Sequence, residues 1–207
     1  TIDNTATTCG DALSGLAEGS HTYVATATDN AGNSASASYT WLVDITDPSV
    51  SIDSQPDDPS NSQTGAFTFS ASDGGSGLAN TECKVDSGAY GDCTSPFSQA
   101  GLAEGSHTFT VRATDDVSNT AEASYTWYID ITDPTVSIDS NPDDPTNSQT
   151  AAFTFTVADE YSLSGAQCKI DTGDFASCTN SVSYSDVAEG ARTLTVRATD
   201  TAGNSAD

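Results

Sequence analysis

Positive charge is what this sequence most conspicuously lacks. Its 207 residues carry five Lys and Arg against 30 Asp and Glu, a formal net charge of −25. A nucleic-acid-binding face needs clustered basic residues, and five cations build none. An anionic membrane surface would repel the chain for the same reason. No apolar run approaches the roughly 20 residues that span a bilayer, and no stretch reads as a secretory leader. Methionine is absent, and Trp and His occur only twice each. No segment has the 3.6-residue period of an amphipathic helix, and no catalytic signature is present, so the chain is expected not to be an enzyme.

What is present points to strands and turns. Of the acids, 24 are Asp and six are Glu. Glu suits helices, whereas Asp suits turns and oxygen-ligand metal sites. Ser, Thr and Gly are abundant beside them. Two readings of the acidity stand together: like charge that keeps exposed strand edges apart, and specific cation binding.

The chain repeats itself. Trp41-Leu-Val-Asp-Ile-Thr-Asp-Pro48 recurs as Trp127-Tyr-Ile-Asp-Ile-Thr-Asp-Pro134, an offset of 86, and Leu16-Ala-Glu-Gly-Ser-His-Thr22 recurs as Leu102–Thr108. A period this long gives each repeat room for its own core, so the repeats read as domains in tandem. The repeated string reads as a last strand, a short acidic joint and the next first strand. Pro134 has no N–H to extend a ladder and pushes Asp133 towards an extended conformation. The register assigns residues 1–48 to the C-terminal half of one domain, 49–134 to a complete domain, and 135–207 to a domain lacking its last strand. The expectation is a piece of a longer protein.

The five cysteines follow the same register. Cys83 and Cys93 share the frame Cys-Lys-Val/Ile-Asp-Ser/Thr-Gly-x-Tyr/Phe-x-x-Cys with Cys168 and Cys178. The Asp-x-Gly inside the frame reads as a hairpin turn, which sets the two cysteines side by side for a disulfide. Cys9 aligns with Cys93, and its partner is expected upstream of residue 1. Zinc is the rival reading, but a lone Cys pair offers two thiolates and no nearby His completes a tetrahedron. Disulfides imply an oxidising compartment outside the cytoplasm.

Within 49–134 the pattern gives about seven short strands with turn signals every 8–12 residues. Phe67, Phe69 and Ala71 should point inward. So should Phe109, Val111 and Ala113, with Thr110, Arg112 and Thr114 outward. The expected fold class is all-β: tandem immunoglobulin-like sandwiches, each with one hairpin disulfide.

The joint Asp-Ile-Thr-Asp-Pro-Thr-Val-Ser-Ile and the turn Ala-Thr-Asp-x-Ala-Gly-Asn resemble those of bacterial immunoglobulin-like repeats, which occur in tandem in large extracellular adhesins and biofilm proteins. The cysteine hairpin departs from those repeats, which are commonly free of cysteine. The resemblance implies an extracellular or cell-surface location and a non-catalytic rod, stalk or filament subunit. The implied partners are neighbouring repeats, other copies in self-assembly, or a cell-surface ligand. Calcium-stiffened adhesin repeats and a carbohydrate- or ligand-binding module are the alternatives.

His21 and His107 are equivalent, but the third repeat has Arg192 there. A ligand or base common to the repeats would not survive that exchange, so a surface strand position is expected. Trp41 and Trp127 alternate with neighbours as core residues. Tyr90, Phe97 and Tyr161 are the loop aromatics that a sugar-binding role would use. No cofactor is required by any motif. The one metal candidate is Ca²⁺, which takes six to eight oxygen ligands, at the joint acids Asp44, Asp47, Asp130 and Asp133 with the turn acids Asp115 and Asp116. Solvated turn acids are the competing reading.

Overall fold

The computed structural model describes residues 1–8, 10 and 12–207. The expectation for Cys9 lies outside the described residues. Among them no helix forms, as a chain rich in Asp, Ser, Thr and Gly favours turns over helix interiors.

The strands are β1 (Gly19–Thr28), β2 (Ser34–Val43), β3 (Ser49–Ser54), β4 (Gly65–Ser72), β5 (Leu78–Val85), β6 (Gly91–Asp92), β7 (Phe97–Gln99), β8 (Gly105–Asp115) and β9 (Thr120–Ile129). They continue as β10 (Thr135–Ser140), β11 (Ala151–Ala158), β12 (Leu163–Ile170), β13 (Ala176–Cys178), β14 (Ser181–Tyr184), β15 (Leu194–Asp200) and β16 (Ser205–Ala206). Their sheets are β1-β2, β3-β4-β7, β6-β5-β8-β9, β10-β11-β14 and β13-β12-β15-β16. The same three-plus-four arrangement is therefore written twice. Both copies are immunoglobulin-like sandwiches, as the alternating pattern and turn spacing predict.

Packing groups the residues into two compact units: Thr1–Ser54 with Phe67–Phe97 and Phe109–Tyr125, and Gln55–Ala66 with Ser98–Thr108 and Thr126–Asp207. The joint after β2 lies in the first and the joint after β9 in the second.

In the first unit β3 runs antiparallel to β4, with Ile52 opposite Phe69, and slips at a bulge before Ser54. β5 pairs with β8 so that Cys83 faces Val111 and Val85 faces Phe109. Phe67 of one sheet stacks on Phe109 of the other with ring centroids 4.2 Å apart, and Phe97 stacks on Phe109 at 5.1 Å. Phe67, Phe69, Phe109, Val111 and Ala113 are all buried. Each large side chain so buried contributes about 1.5–3 kcal/mol of hydrophobic stabilisation. The inward set is the one the period of two selects.

The outward set is less open than expected. Thr110 is buried, although it faces away from the Phe core. The register places it opposite Lys84, and the Tyr90 ring lies beneath Lys84 Nζ at 4.5 Å and the Arg112 guanidinium at 4.0 Å. Arg112 also pairs with Glu82 at 2.7 Å, and the Tyr90 hydroxyl donates to Glu122 at 2.6 Å. A cation held over an aromatic face is stabilised by the ring quadrupole, and these side chains cover the outer face of the sheet. The second unit repeats the device with Phe175 beneath Lys169 at 4.6 Å and Arg197 at 4.3 Å. Four of the chain's five cations thus sit on the two hairpin aromatics.

In the second unit Val136 faces Val157 and Ile138 faces Phe155 across β10 and β11. Phe155, Cys168 and Val196 form the core, with Val182 and Leu194 packed against it. Trp127 and Ile129 are buried in the same unit. The segment Gln55–Ser62 adds one parallel bridge from Ser60 to Ile129. The Ser60 N–H donates to the Tyr128 carbonyl at 2.9 Å, and the Asp130 N–H to the Ser60 carbonyl at 3.0 Å.

Both stapled hairpins form. Cys83 bonds Cys93, with Cα atoms 5.7 Å apart, and Cys168 bonds Cys178, with Cα atoms 5.8 Å apart. Asp86 and Asp171 open the turns with left-handed φ of 55° and 53°. A Cβ added at Gly88 would lie 2.9 Å from the Val85 carbonyl oxygen, so that glycine is required by close approach. Replacing both Cys83 and Cys93 with Ser is expected to destabilise the protein by about 2–3 kcal/mol in the chain-entropy picture. Denaturant unfolding of the two forms checks it; an unchanged midpoint would contradict it.

Candidate metal centre at the acidic joints

The turn after β1, β8 and β15 is one structure used three times. Its first Asp and last Asn close a backbone bond: Asp29 N–H to Asn33 O at 2.9 Å, Asp115 N–H to Asn119 O at 3.1 Å, and Asp200 N–H to Asn204 O at 3.1 Å. The Asp carboxylate then accepts from inside its own turn. Asp115 Oδ1 takes the N–H groups of Val117 and Asn119 at 3.0 and 2.7 Å, and Oδ2 takes the Asn119 side-chain amide at 2.7 Å. Asp200 takes Gly203 and Asn204 N–H at 2.6 and 2.8 Å and the Asn204 amide at 2.7 Å. This accounts for how Asp115 and Asp200 are tolerated at 1% and 2% exposure: a buried charge needs hydrogen bonds in place of water. The turn needs one left-handed residue. Gly32 (φ 87°) and Gly203 (φ 99°) supply it cheaply, and Ser118 (φ 78°) supplies it at a steric cost.

Asn119 and Asn204 also reach back to the joint that precedes their repeat. Asn119 Nδ2 lies 3.4 Å from the Asp44 carbonyl oxygen and 3.3 Å from that of Thr46. Asn204 Nδ2 donates to the Asp130 carbonyl at 2.9 Å. The joint threonines are tied as well, Thr46 Oγ1 to Glu18 and Thr132 Oγ1 to Glu104.

The joint aspartates follow their carbonyls inward. One carboxylate oxygen from each of Asp44, Asp73 and Asp115 lies within 4.8 Å of the other two, and the same holds for Asp130, Asp159 and Asp200. Of the candidates named from sequence, Asp44, Asp115 and Asp130 enter these triads. Asp47, Asp133 and Asp116 are exposed and stand outside them. Asp73, Asp159 and Asp200 were missed. The repeat carried a signal for them: Asp73 and Asp159 each open the loop after a Phe-Thr-Phe strand, and Asp200 occupies the place of Asp115. Three carboxylates in this arrangement match the oxygen-rich donor set of a hard divalent cation.

The triads differ in their hydrogen bonds. Asp44 Oδ1 accepts from Thr46 N–H at 3.1 Å and Oδ2 from Ser76 N–H at 2.6 Å. Its interactions with Ser76 and the hydrogen bond from the Thr46 N–H hold the Asp44 carboxyl below the usual carboxylate range. Asp130 Oδ1 accepts from Thr132 N–H at 3.2 Å, whereas Oδ2 is buried with no hydrogen-bond partner among the described residues. Burial, followed by the nearby charges of Asp200, Asp159 and Glu104, pushes the Asp130 carboxyl up. A buried orphan oxygen facing two further carboxylates is the feature a bound cation would resolve.

The histidines have a structural task, and they are buried where surface positions were expected. His21 Nε2–H donates to the Ala17 carbonyl at 2.7 Å and His107 Nε2–H to the Ala103 carbonyl at 2.8 Å. Arg192 Nε–H donates to the equivalent Ala188 carbonyl at 3.1 Å. Each is a donor that closes the Ala-Glu-Gly turn, which explains why Arg can replace His. Of the loop aromatics, Phe97 is half-buried against Phe109 and Tyr90 lies under its two cations. Tyr161 is 45% exposed and stacks on Tyr128 at 4.3 Å.

These features define an immunoglobulin-like sandwich module used in tandem. Residues 91–171 match the family model described as the bacterial Ig-like domain (group 3). Among solved structures, the fibronectin(III)-like modules of Clostridium thermocellum CbhA align with 77% of this chain and 90% of their own, at 16% identity and a TM-score of 0.44. A tetra-tandem repeat from the extending region of a large adhesion protein aligns over 92% of this chain and 55% of its own, at 22% identity and a TM-score of 0.31. No curated protein sequence matches the chain.

Two outcomes are expected. Ser118→Gly should stabilise the protein by roughly 0.5–1 kcal/mol, the left-handed penalty less the extra chain entropy of glycine; a denaturant midpoint that falls would contradict it. For Asp44 the lowered folded-state pKa makes its contribution present above about pH 3.9, the ordinary Asp value, and lost as pH falls through the folded value. The stability gap between wild type and Asp44→Asn should therefore be open at pH 7 and close in acid. A gap of constant size across that range would show that the hydrogen bonds do not favour the ionised form.

Proposed function

We propose that this chain is a non-catalytic structural segment of an extracellular fibre or surface protein, a stalk or filament built of tandem Ig-like repeats. The observation that carries the reading is the grip of the last turn of the second and third repeats on the joint before it. Asn119 and Asn204 bind joint carbonyls, and Asp44 and Asp130 are buried beneath them. A flexible tether would leave such a linker solvated; this one is held by side chains that recur with the repeat. The bacterial Ig-like match over residues 91–171 supports the class, and the two disulfides support an oxidising, extracellular setting. The dense negative charge suits a surface that repels its own copies except at dedicated contacts.

A second reading is favoured by the two Asp triads: the joints are fixed by divalent cations. Ca²⁺ would be held by the triad carboxylates, with carbonyls or water completing its shell, and would neutralise charge that the joint otherwise buries. Carbohydrate binding has less support, since Tyr161 alone of the three loop aromatics presents an exposed ring.

Sedimentation velocity of the native chain in calcium and then in EDTA tests both readings. Discrete oligomers or polymers in both buffers are expected of a filament subunit. A monomer in both is expected of a stalk segment, and a frictional ratio that changes on chelation is expected of cation-fixed joints. Identical sedimentation in both buffers would remove the cation reading. A specific hydrolytic or transfer activity co-purifying with the folded chain would overturn the structural one.

A further inference from the structure

We infer that the two Asp triads are not equivalent: Asp130, Asp159 and Asp200 form the cation site, whereas the triad of Asp44, Asp73 and Asp115 is closed by the protein's own amides. The inference rests on the cation reading given above and concerns which joint takes the ion.

The difference lies in the loop that brings the middle aspartate. In the first triad it reads Asp73-Gly-Gly-Ser-Gly-Leu78, and in the second Asp159-Glu-Tyr-Ser-Leu163, one residue shorter. Both loops fold onto their opening Asp. Asp73 Oδ2 accepts from Gly75 and Gly77 N–H, each at 2.9 Å, which leaves the intervening Ser76 N–H pointing at Asp44 Oδ2 at 2.6 Å. In the shorter loop Asp159 Oδ2 accepts from Tyr161 and Ser162 N–H, each at 2.8 Å. The serine amide that caps the joint aspartate in the first triad is thereby committed to its own loop in the second.

Glycine makes the first arrangement accessible. A Cβ on Gly75 would lie 2.4 Å from Asp44 Oδ2, so only glycine lets the backbone come close enough to cap. The corresponding residue is Tyr161, whose ring stacks on Tyr128. Among the described residues, Asp130 Oδ2, in a residue only 2% exposed, therefore has no donor, and Asp159 Oδ1 has none either. Two buried acceptors without donors, beside the Asp200 carboxylate, make a site for a hard divalent cation. The first triad offers such an ion a joint carboxylate that already holds an N–H on each oxygen.

The test is calorimetric titration of the full chain with calcium chloride after EDTA treatment and buffer exchange, with thermal unfolding followed in parallel. One site per chain is expected, with a calcium-dependent rise in Tm. Asp130→Asn and Asp159→Asn should each weaken binding at least tenfold and abolish the rise, while Asp44→Asn should leave affinity and stoichiometry unchanged. Asp159 is only partly buried, so Asp159→Asn keeps the test valid if Asp130→Asn disturbs folding. Two sites of similar affinity, or one site lost in Asp44→Asn and retained in Asp159→Asn, would overturn the inference while leaving calcium-bound joints intact. No heat and no Tm change in the wild type would remove both the inference and the cation reading beneath it.

Discussion

Asp115 and Asp200 set the terms for the rest of the molecule. A carboxylate that loses its water must be given donors, and each of these takes them from the turn it begins. Satisfying the carboxylate fixes the turn, and the fixed turn aims an Asn side chain at the joint before it. The joint is then short, ordered and acidic, and its own aspartate is drawn beside the one that organised it. Strand, turn and joint depend on one another through a single buried charge. That charge favours Asp over Glu here, because the shorter side chain bonds amides of its own turn.

The cores are modest, and other devices share the work of stabilising them. In the first unit three stacked Phe rings carry the sheet-to-sheet contact; in the second, Phe155, Cys168 and Val196 do so. Each disulfide pins its hairpin against this core, since Cys83 and Cys168 are themselves buried. On the outer face the few cations are concentrated on Tyr90 and Phe175. A chain so acidic gains by placing its positive charges where they cover a ring and meet a carboxylate at once, as Arg112 does with Tyr90 and Glu82. The same two rings are thereby withdrawn from solvent.

Much of this was legible as pattern. Alternation put Phe67, Phe69, Phe109, Val111 and Ala113 in the core, because a strand's side chains alternate whatever surrounds them. Spacing and the Asp-x-Gly turn indicated the Cys83–Cys93 and Cys168–Cys178 hairpins, because a turn of that length leaves the two ends few other places to go. Alternation failed at Thr110 because burial on the outer face depends on what folds over it. The exchange of His for Arg192 gave the histidines a surface position, because their partners are backbone carbonyls, which have no sequence signature. At the joints, sequence proximity grouped Asp115 with Asp116 and Asp44 with Asp47. Closeness in sequence does not aim two side chains at one point, and only one of each pair enters a triad.

The sequence by itself determined the strands, the repeat, the stapled hairpins and the acidic joints, because each follows from local stereochemistry or short spacing. Only the tertiary structure decided that Asp73 meets Asp44 and Asp115, and that Asp159 meets Asp130 and Asp200. It also decided that, beside a one-residue difference between two loops, one joint carboxylate is capped on both oxygens and the other on one alone. The physical reason is distance along the chain. Residues about 30 to 70 positions apart are brought within a few ångströms by sheet packing, and neither composition nor periodicity encodes which amide will be left over when they arrive.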